Sequence, residues 1–133
     1  MGIEKNKQIV EAFYQAGDRG DMEACLGMLA DDIRWTNIGS TRFSGTYVGK
    51  QTLVEQLIGP LFAELKAGIS SVIEKMIAEQ DYVVALTSGS AETTDGKPYN
   101  NSYCQVMRIR DGKIAEVTEY FDTELTSSVF GRD

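Results

Sequence analysis

The sequence predicts an α+β domain in which three N-terminal helices pack on a curved antiparallel sheet. Three observations predict it. Apolar residues recur at spacings of three and four in three segments before residue 67, they alternate with polar ones after residue 70, and Asp95-Gly96 and Asp111-Gly112 punctuate that alternation. Helices followed by consecutive strands give an α+β order. A chain of 133 residues is sized for a single domain, taken as 1–133.

The first helix is expected over Lys5 to Gly17, where Ile9, Phe13, Ala16 and Gly17 form one stripe. Asp18-Arg19-Gly20-Asp21 breaks it, and Asp21 is placed to N-cap a short second helix carrying Ala24, Cys25, Met28 and Leu29. Asp32 to Asn37 alternates and reads as a strand with Ile33, Trp35 and Asn37 on one face. Gly39 to Gly49 reads as irregular. A third helix follows over about 50–66, which Gly59-Pro60 should kink or divide. Strands are expected over 70–79, 82–93, 98–110 and 113–121. The Asp-Gly pairs accept the positive φ of tight hairpin turns, so consecutive strands should pair antiparallel.

Composition narrows the function. Apolar residues make up 42% and charged residues 25%, a balance that supports a packed core. The net charge of −7, with basic residues scattered, argues against nucleic acid, whose affinity rests on clustered Lys and Arg. The start MGIEKNKQIVEAF lacks the apolar run of a signal peptide and no stretch reaches membrane-spanning length, so a cytoplasmic protein without a membrane partner is expected. Cys25 and Cys104 fall in different elements and read as thiols rather than a disulfide. There is no histidine, which removes Ser-His-Asp and Cys-His arrangements. With neither a His/Cys cluster nor a glycine-rich phosphate loop, no metal or cofactor is expected.

Several motifs carry a family resemblance: Leu-Ala-Asp-Asp-Ile-Arg-Trp at 29–35, Gly-Thr-Tyr-Val-Gly at 45–49, and Arg-Asp-Gly-Lys-Ile-Ala-Glu-Val-Thr-Glu-Tyr-Phe-Asp-Thr at 110–123. From about residue 3 to 128 the chain resembles SnoaL-like, ketosteroid isomerase-related proteins of the nuclear transport factor 2-like superfamily. The resemblance implies a cone-shaped fold but little about the reaction, because the fold hosts several chemistries and plain binding modules. In the steroid isomerases an aspartate base works beside a tyrosine and a protonated aspartate. Alignment places Asn37 at the base, Phe13 at the tyrosine and Gln105 at the second aspartate, and none exchanges protons near neutral pH. The Arg-x-Asp pair of limonene-type epoxide hydrolases would fall in Leu86 to Ser90, which carries no charge. The resemblance leaves Glu119 and Asp122, in a region where cyclase and epoxide-hydrolase relatives also place a working acid.

Strand parity supplies an independent reading. Ala115, Val117, Glu119 and Phe121 share one face, which puts a carboxylate in an apolar row. Facing inward, Glu119 would be desolvated and its pKa raised into the range of a general acid or base; on an exposed rim it would be an ordinary solvated glutamate. Asn101, Tyr103 and Gln105 share a face with Met107 and Ile109, either a mixed pocket lining or a sheet face with polar ends. Trp35 is a pocket wall or a core residue, and Asn37 is expected in the pocket. Asp122 is either a second acid or the N-cap of a terminal helical turn. The candidates are therefore Glu119 and Asp122 for catalysis, and Phe13, Trp35, Asn37, Asn101, Tyr103 and Gln105 for binding.

Tyr82, Val84, Leu86, Cys104, Val106, Ile114 and Tyr120 have the opposite parity, so the sheet's outer face is also apolar and is expected to meet a second copy in a homodimer. Two functions stay open: cofactor-independent acid/base chemistry on a small apolar carbonyl, hydroxyl or epoxide compound, or non-catalytic binding of such a molecule in the same pocket.

Overall fold

The computed structural model describes residues 2–132. Helix α1 spans Ile3–Asp18 and α2 Met22–Gly27, capped by the Asp21 carboxylate, which accepts from Ala24 N at 3.0 Å. Strand β1 is Leu29–Asn37, beginning three residues earlier than the alternation suggests, and β2 is Gly45–Val48, inside the stretch read as irregular. The third helical segment comprises α3 (Lys50–Leu53), a π-turn (Val54–Ile58) and α4 (Gly59–Ala63). Gly59-Pro60 divides it. Proline lacks an N–H and crowds the preceding turn, and a wider turn before it relieves both demands. Strands β3 (Ser70–Glu79), β4 (Tyr82–Glu92), β5 (Pro98–Arg110) and β6 (Lys113–Phe121) are followed by α5 (Thr123–Phe130).

The α+β class holds, with a sheet of order β2-β1-β6-β5-β4-β3. It is mixed rather than wholly antiparallel: β1 runs parallel to β6, with Asn37 beside Glu119. Hairpin chemistry dictates direction only for strands joined by a short turn, and the long connection between β1 and β6 leaves their direction free. At the β5–β6 turn Asp111 and Gly112 take φ of 52° and 76°, as the Asp-Gly pair requires. Asp95-Gly96 instead sits in a longer connection, where Thr93 N donates to Lys97 O at 2.8 Å.

Val10, Ile33, Leu53, Val83, Met107, Ile114 and Val117 are fully or almost fully buried between the helices and the inner sheet face. Ile114 corrects the parity expectation. A register shift between Arg108 and Ile109 pairs Ile109 with Ile114, and the extra residue turns Ile114 into the core. Phe130 of α5 packs edge-on against Phe43 and Tyr99, with ring centroids 5.3 and 4.8 Å away, and closes one end of the core. No described helix is long and apolar enough to cross a membrane.

Candidate active site

The sheet pairing assembles the site. Asn37, Glu119 and Gln105 are direct neighbours on β1, β6 and β5, forming one rung across three strands. The next rung toward α5 brings Phe121 beside Tyr103 and Tyr103 beside Thr87. Both rungs face a cavity of about 740 Å³ roofed by Leu53, Leu57, Ile58 and Leu61 of the third helical segment and walled by Phe13, Trp35 and Tyr99. The exposed members of the lining are Gly17 to Gly20, at the end of α1 and in the turn after it, Phe62 of α4, and Ala67, Gly68 and Ser70 at the entry to β3, so the cavity opens between these segments. Asp18 accepts from Ser71 N at 2.8 Å and ties the two sides of the mouth together.

At the inner end stands Glu119. Gln105 Nε2 donates to its Oε1, and burial pushes its carboxyl up to about 7, a rise that the Gln105 hydrogen bond partly offsets. The other charged lining groups, Asp18 and Arg19, are exposed at the mouth, so no cation of the lining accompanies Glu119 inside. The Tyr14 hydroxyl is buried without a hydrogen-bond partner, as is Gln105 Oε1. Burial, and then the Glu119 charge, raise the Tyr14 pKa, while the Thr87 hydroxyl opposes the shift. Burial is also the main cause of the raised Tyr103 pKa. Both phenols stay neutral donors while Glu119 titrates.

Phe13, Trp35, Asn37, Tyr103, Gln105 and Glu119 thus meet in one cavity. Trp35 is both a wall and a bonded residue: its Nε1 donates to Asn37 Oδ1 at 2.9 Å, while Asn37 Nδ2 donates to Phe43 O at 3.1 Å. Two expected residues lie elsewhere. Asn101 is buried outside the lining; its Nδ2 donates to Tyr99 Oη and to Asp122 O, each at 3.1 Å, and its Oδ1 accepts from Asp122 N at 3.2 Å, anchoring the start of α5 to β5. Asp122 is exposed and caps α5, accepting from Leu125 N at 3.1 Å. Its carboxylate is used as a helix cap at the surface and is not part of the cavity lining. Asp122→Ala is therefore expected to cost about 1 kcal/mol of stability while sparing ligand binding, checked by chemical denaturation and titration. A loss of binding larger than the loss of stability would return Asp122 to the site.

Sequence reasoning gave Tyr14 no position and missed Thr87. Tyr14 follows Phe13 on α1, and at 100° per residue both rings reach the cavity, their centroids 5.8 Å apart. Thr87 has the parity of Val83 and Ala85, a signal available in the alternation of β4. Tyr47 is buried instead, donating to Phe43 O at 3.0 Å, and is not part of the lining.

The model of the SnoaL-like domain family matches residues 10–117. The chain belongs to that family. Among solved structures similar to this SnoaL-like chain, a nuclear transport factor 2-like protein of unknown function from Burkholderia pseudomallei is 22% identical, with 96% of this chain and 97% of that one covered and a TM-score of 0.85. Another protein of this type, from Burkholderia thailandensis, is 27% identical over 92% of this chain and 95% of its own, with a TM-score of 0.82. TerC, co-crystallized with polyporic acid, is 22% identical over 90% of this chain and 93% of its own, with a TM-score of 0.79. No curated protein matches the sequence. The SnoaL-like cone thus stands on both sequence and structure, and the chemistry rests on the cavity residues of this chain.

Proposed function

We propose that this SnoaL-like protein is a cofactor-independent acid/base enzyme acting on a small, largely apolar molecule with a carbonyl, hydroxyl or epoxide group. The observation that carries the reading is Glu119, a carboxyl at the closed end of an apolar cavity whose pKa of about 7 lets it give or take a proton near neutrality. Tyr14 supplies an unspent hydroxyl and Gln105 an unspent carbonyl oxygen in the same lining. A ligand oxygen that approaches Glu119 would find a neutral phenol to donate to it. Without an interior cation, the cavity favours a neutral ligand over a carboxylate or phosphate, whose desolvation nothing there would offset. TerC, a structure of the same fold, was co-crystallized with a small organic molecule, polyporic acid.

The test is a panel of neutral ring compounds bearing a ketone, hydroxyl or epoxide, incubated with the protein in D2O and followed by NMR. Deuterium incorporation or conversion dependent on the wild-type protein supports the enzyme. Tight binding across the panel with no exchange favours the second reading, a module that binds the same ligands without reaction. That reading is favoured by Asn37, which stands where the isomerase base would be and has its amide engaged by Trp35 and Phe43.

The outer sheet face supports a homodimer. Leu86, Cys104 and Tyr120 lie side by side on β4, β5 and β6, next to Val84 and Val106, and Tyr82 and Tyr120 are 41% and 47% exposed. Arg108, paired with Asp81 and Glu116 at 3.0 Å, flanks this strip. An apolar centre with a polar edge is the composition of an isologous interface. Leu86→Arg is expected to convert a dimer into a monomer with its fold intact, seen by sedimentation equilibrium with circular dichroism. Wild-type protein sedimenting as a monomer would refute the dimer.

A further inference from the structure

Gly89 sits in the interior of β4, buried, paired with Ser71 on one side and Asn101 on the other. Its φ lies outside the left-handed region, so the backbone does not demand glycine. A glycine in mid-strand weakens the strand and commonly marks a close approach by another group. Here that group is the Tyr103 ring, which leans diagonally from β5 over the bare backbone. A Cβ at position 89 would stand 2.8 Å from Tyr103 Cε2 and 3.0 Å from Ile69 Cγ2. Real Cβ contacts do not reach the shorter distance, so either the ring or its surroundings must move.

The ring has few directions in which to yield. Phe121 flanks it on β6, with ring centroids 6.2 Å apart, and Ile69 packs against the same bare position. The unfilled volume lies on the cavity side, because Tyr103, Phe121 and Ile69 all line the cavity. We infer that Gly89 is the size-determining position of the cavity: by letting the Tyr103 ring rest against β4, it keeps open the space needed by a ligand with a planar fused-ring body. The tilted rings of Tyr103 and Phe121, with Phe13 and Trp35 on the same cavity, provide aromatic surface for such a body. The inference rests on the cavity being the ligand site, as proposed above, but not on any proton transfer by Glu119.

Two neutral fluorescent phenols test it, 2-naphthol with two fused rings and 1-hydroxypyrene with four, together with a crystal structure of Gly89→Ala. The substitution is expected to displace the Tyr103 ring into the cavity and to weaken 1-hydroxypyrene binding by about ten-fold or more, with 2-naphthol changed by less than about three-fold. Adding Tyr103→Leu to Gly89→Ala should restore the larger probe. If the single variant fails to fold and the double variant folds, the rescue itself demonstrates the clash. Failure of both to fold, a Tyr103 ring that stays in place while Ile69 or the backbone yields, or equal losses for the two probes would overturn the inference. The crystal structure decides the Tyr103 displacement whether or not the wild type binds a phenol, so a wrong ligand class and a wrong role for Gly89 are distinguishable.

Discussion

Glu119→Gln is expected to lower turnover by about 10²- to 10⁴-fold while changing ligand affinity by no more than about three-fold. The substitution preserves shape and removes the one group of the inner cavity that titrates near neutrality. A glutamine at 119 can still accept the hydrogen bond that Gln105 Nε2 gives to Glu119 Oε1, so the rung Asn37–Glu119–Gln105 should persist. Binding depends mainly on the apolar walls, which the change leaves alone. The measurement is a pair, single-turnover rate and dissociation constant, on the compound that the NMR panel identifies. Unchanged turnover would exclude Glu119 as the proton carrier. A collapse of binding with turnover retained at saturation would make it a recognition group instead.

The second large effect is on stability, and it has the opposite sign. The Glu119 carboxyl moves from an ordinary value of 4.5 to about 7 in the folded protein because burial penalises its charged form. Between those values the native state holds a proton that the unfolded state has released, so stability falls as pH rises through this window. At about 1.4 kcal/mol per pKa unit, the loss amounts to at most about 3.5 kcal/mol by pH 8. Below pH 4.5 both states are protonated at this site and the loss is absent. Glu119→Gln carries no such titration and is expected to be more stable than wild type at pH 8 by most of that amount, with the difference vanishing near pH 4. Urea denaturation at both pH values checks it. The same group should put an inflection near pH 7 in kcat/KM, rising with pH if Glu119 is the base and falling if it is the acid. A parallel stability profile for wild type and variant would mean that Glu119 titrates as a solvated carboxylate.

A protein that gains stability when its central acid is neutralised carries a local cost for function. Natural proteins retain such costs where a charge is needed in a dry place. Only the neutral Gln105 amide offsets this one, and only in part, while the surrounding phenols are themselves held neutral. The arrangement resembles the opposed tuning of paired groups in acid/base enzymes, with one carboxyl poised to titrate beside donors that do not.

Much of this was legible in the chain alone. Period-two alternation placed Glu119 among Ala115, Val117 and Phe121, and Gln105 and Tyr103 on one face of their strand, because strand side chains alternate whatever the strand pairs with. The three-and-four spacing located the helices, and Asp21 announced a cap through the chemistry of its own side chain. The motifs at 29–35, 45–49 and 110–123 carried the SnoaL-like resemblance that the family match over 10–117 establishes.

What the tertiary structure decided was every relation between segments distant in the chain. The parallel pairing of β1 with β6 makes Asn37 a direct neighbour of Glu119 within the sheet, a relation that the alternation of either strand does not contain. The docking of α5 diverts Asn101 and Asp122 from the cavity into an anchor and a cap, uses that parity leaves equally open. The shift beside Ile109 reverses the facing of Ile114, because one extra residue inverts a period of two. Local chemistry determines what each segment can become and which residues share its faces. Which face looks inward, and which partner stands opposite, depends on long-range pairing and on a desolvation that arises only when the cavity closes around Glu119.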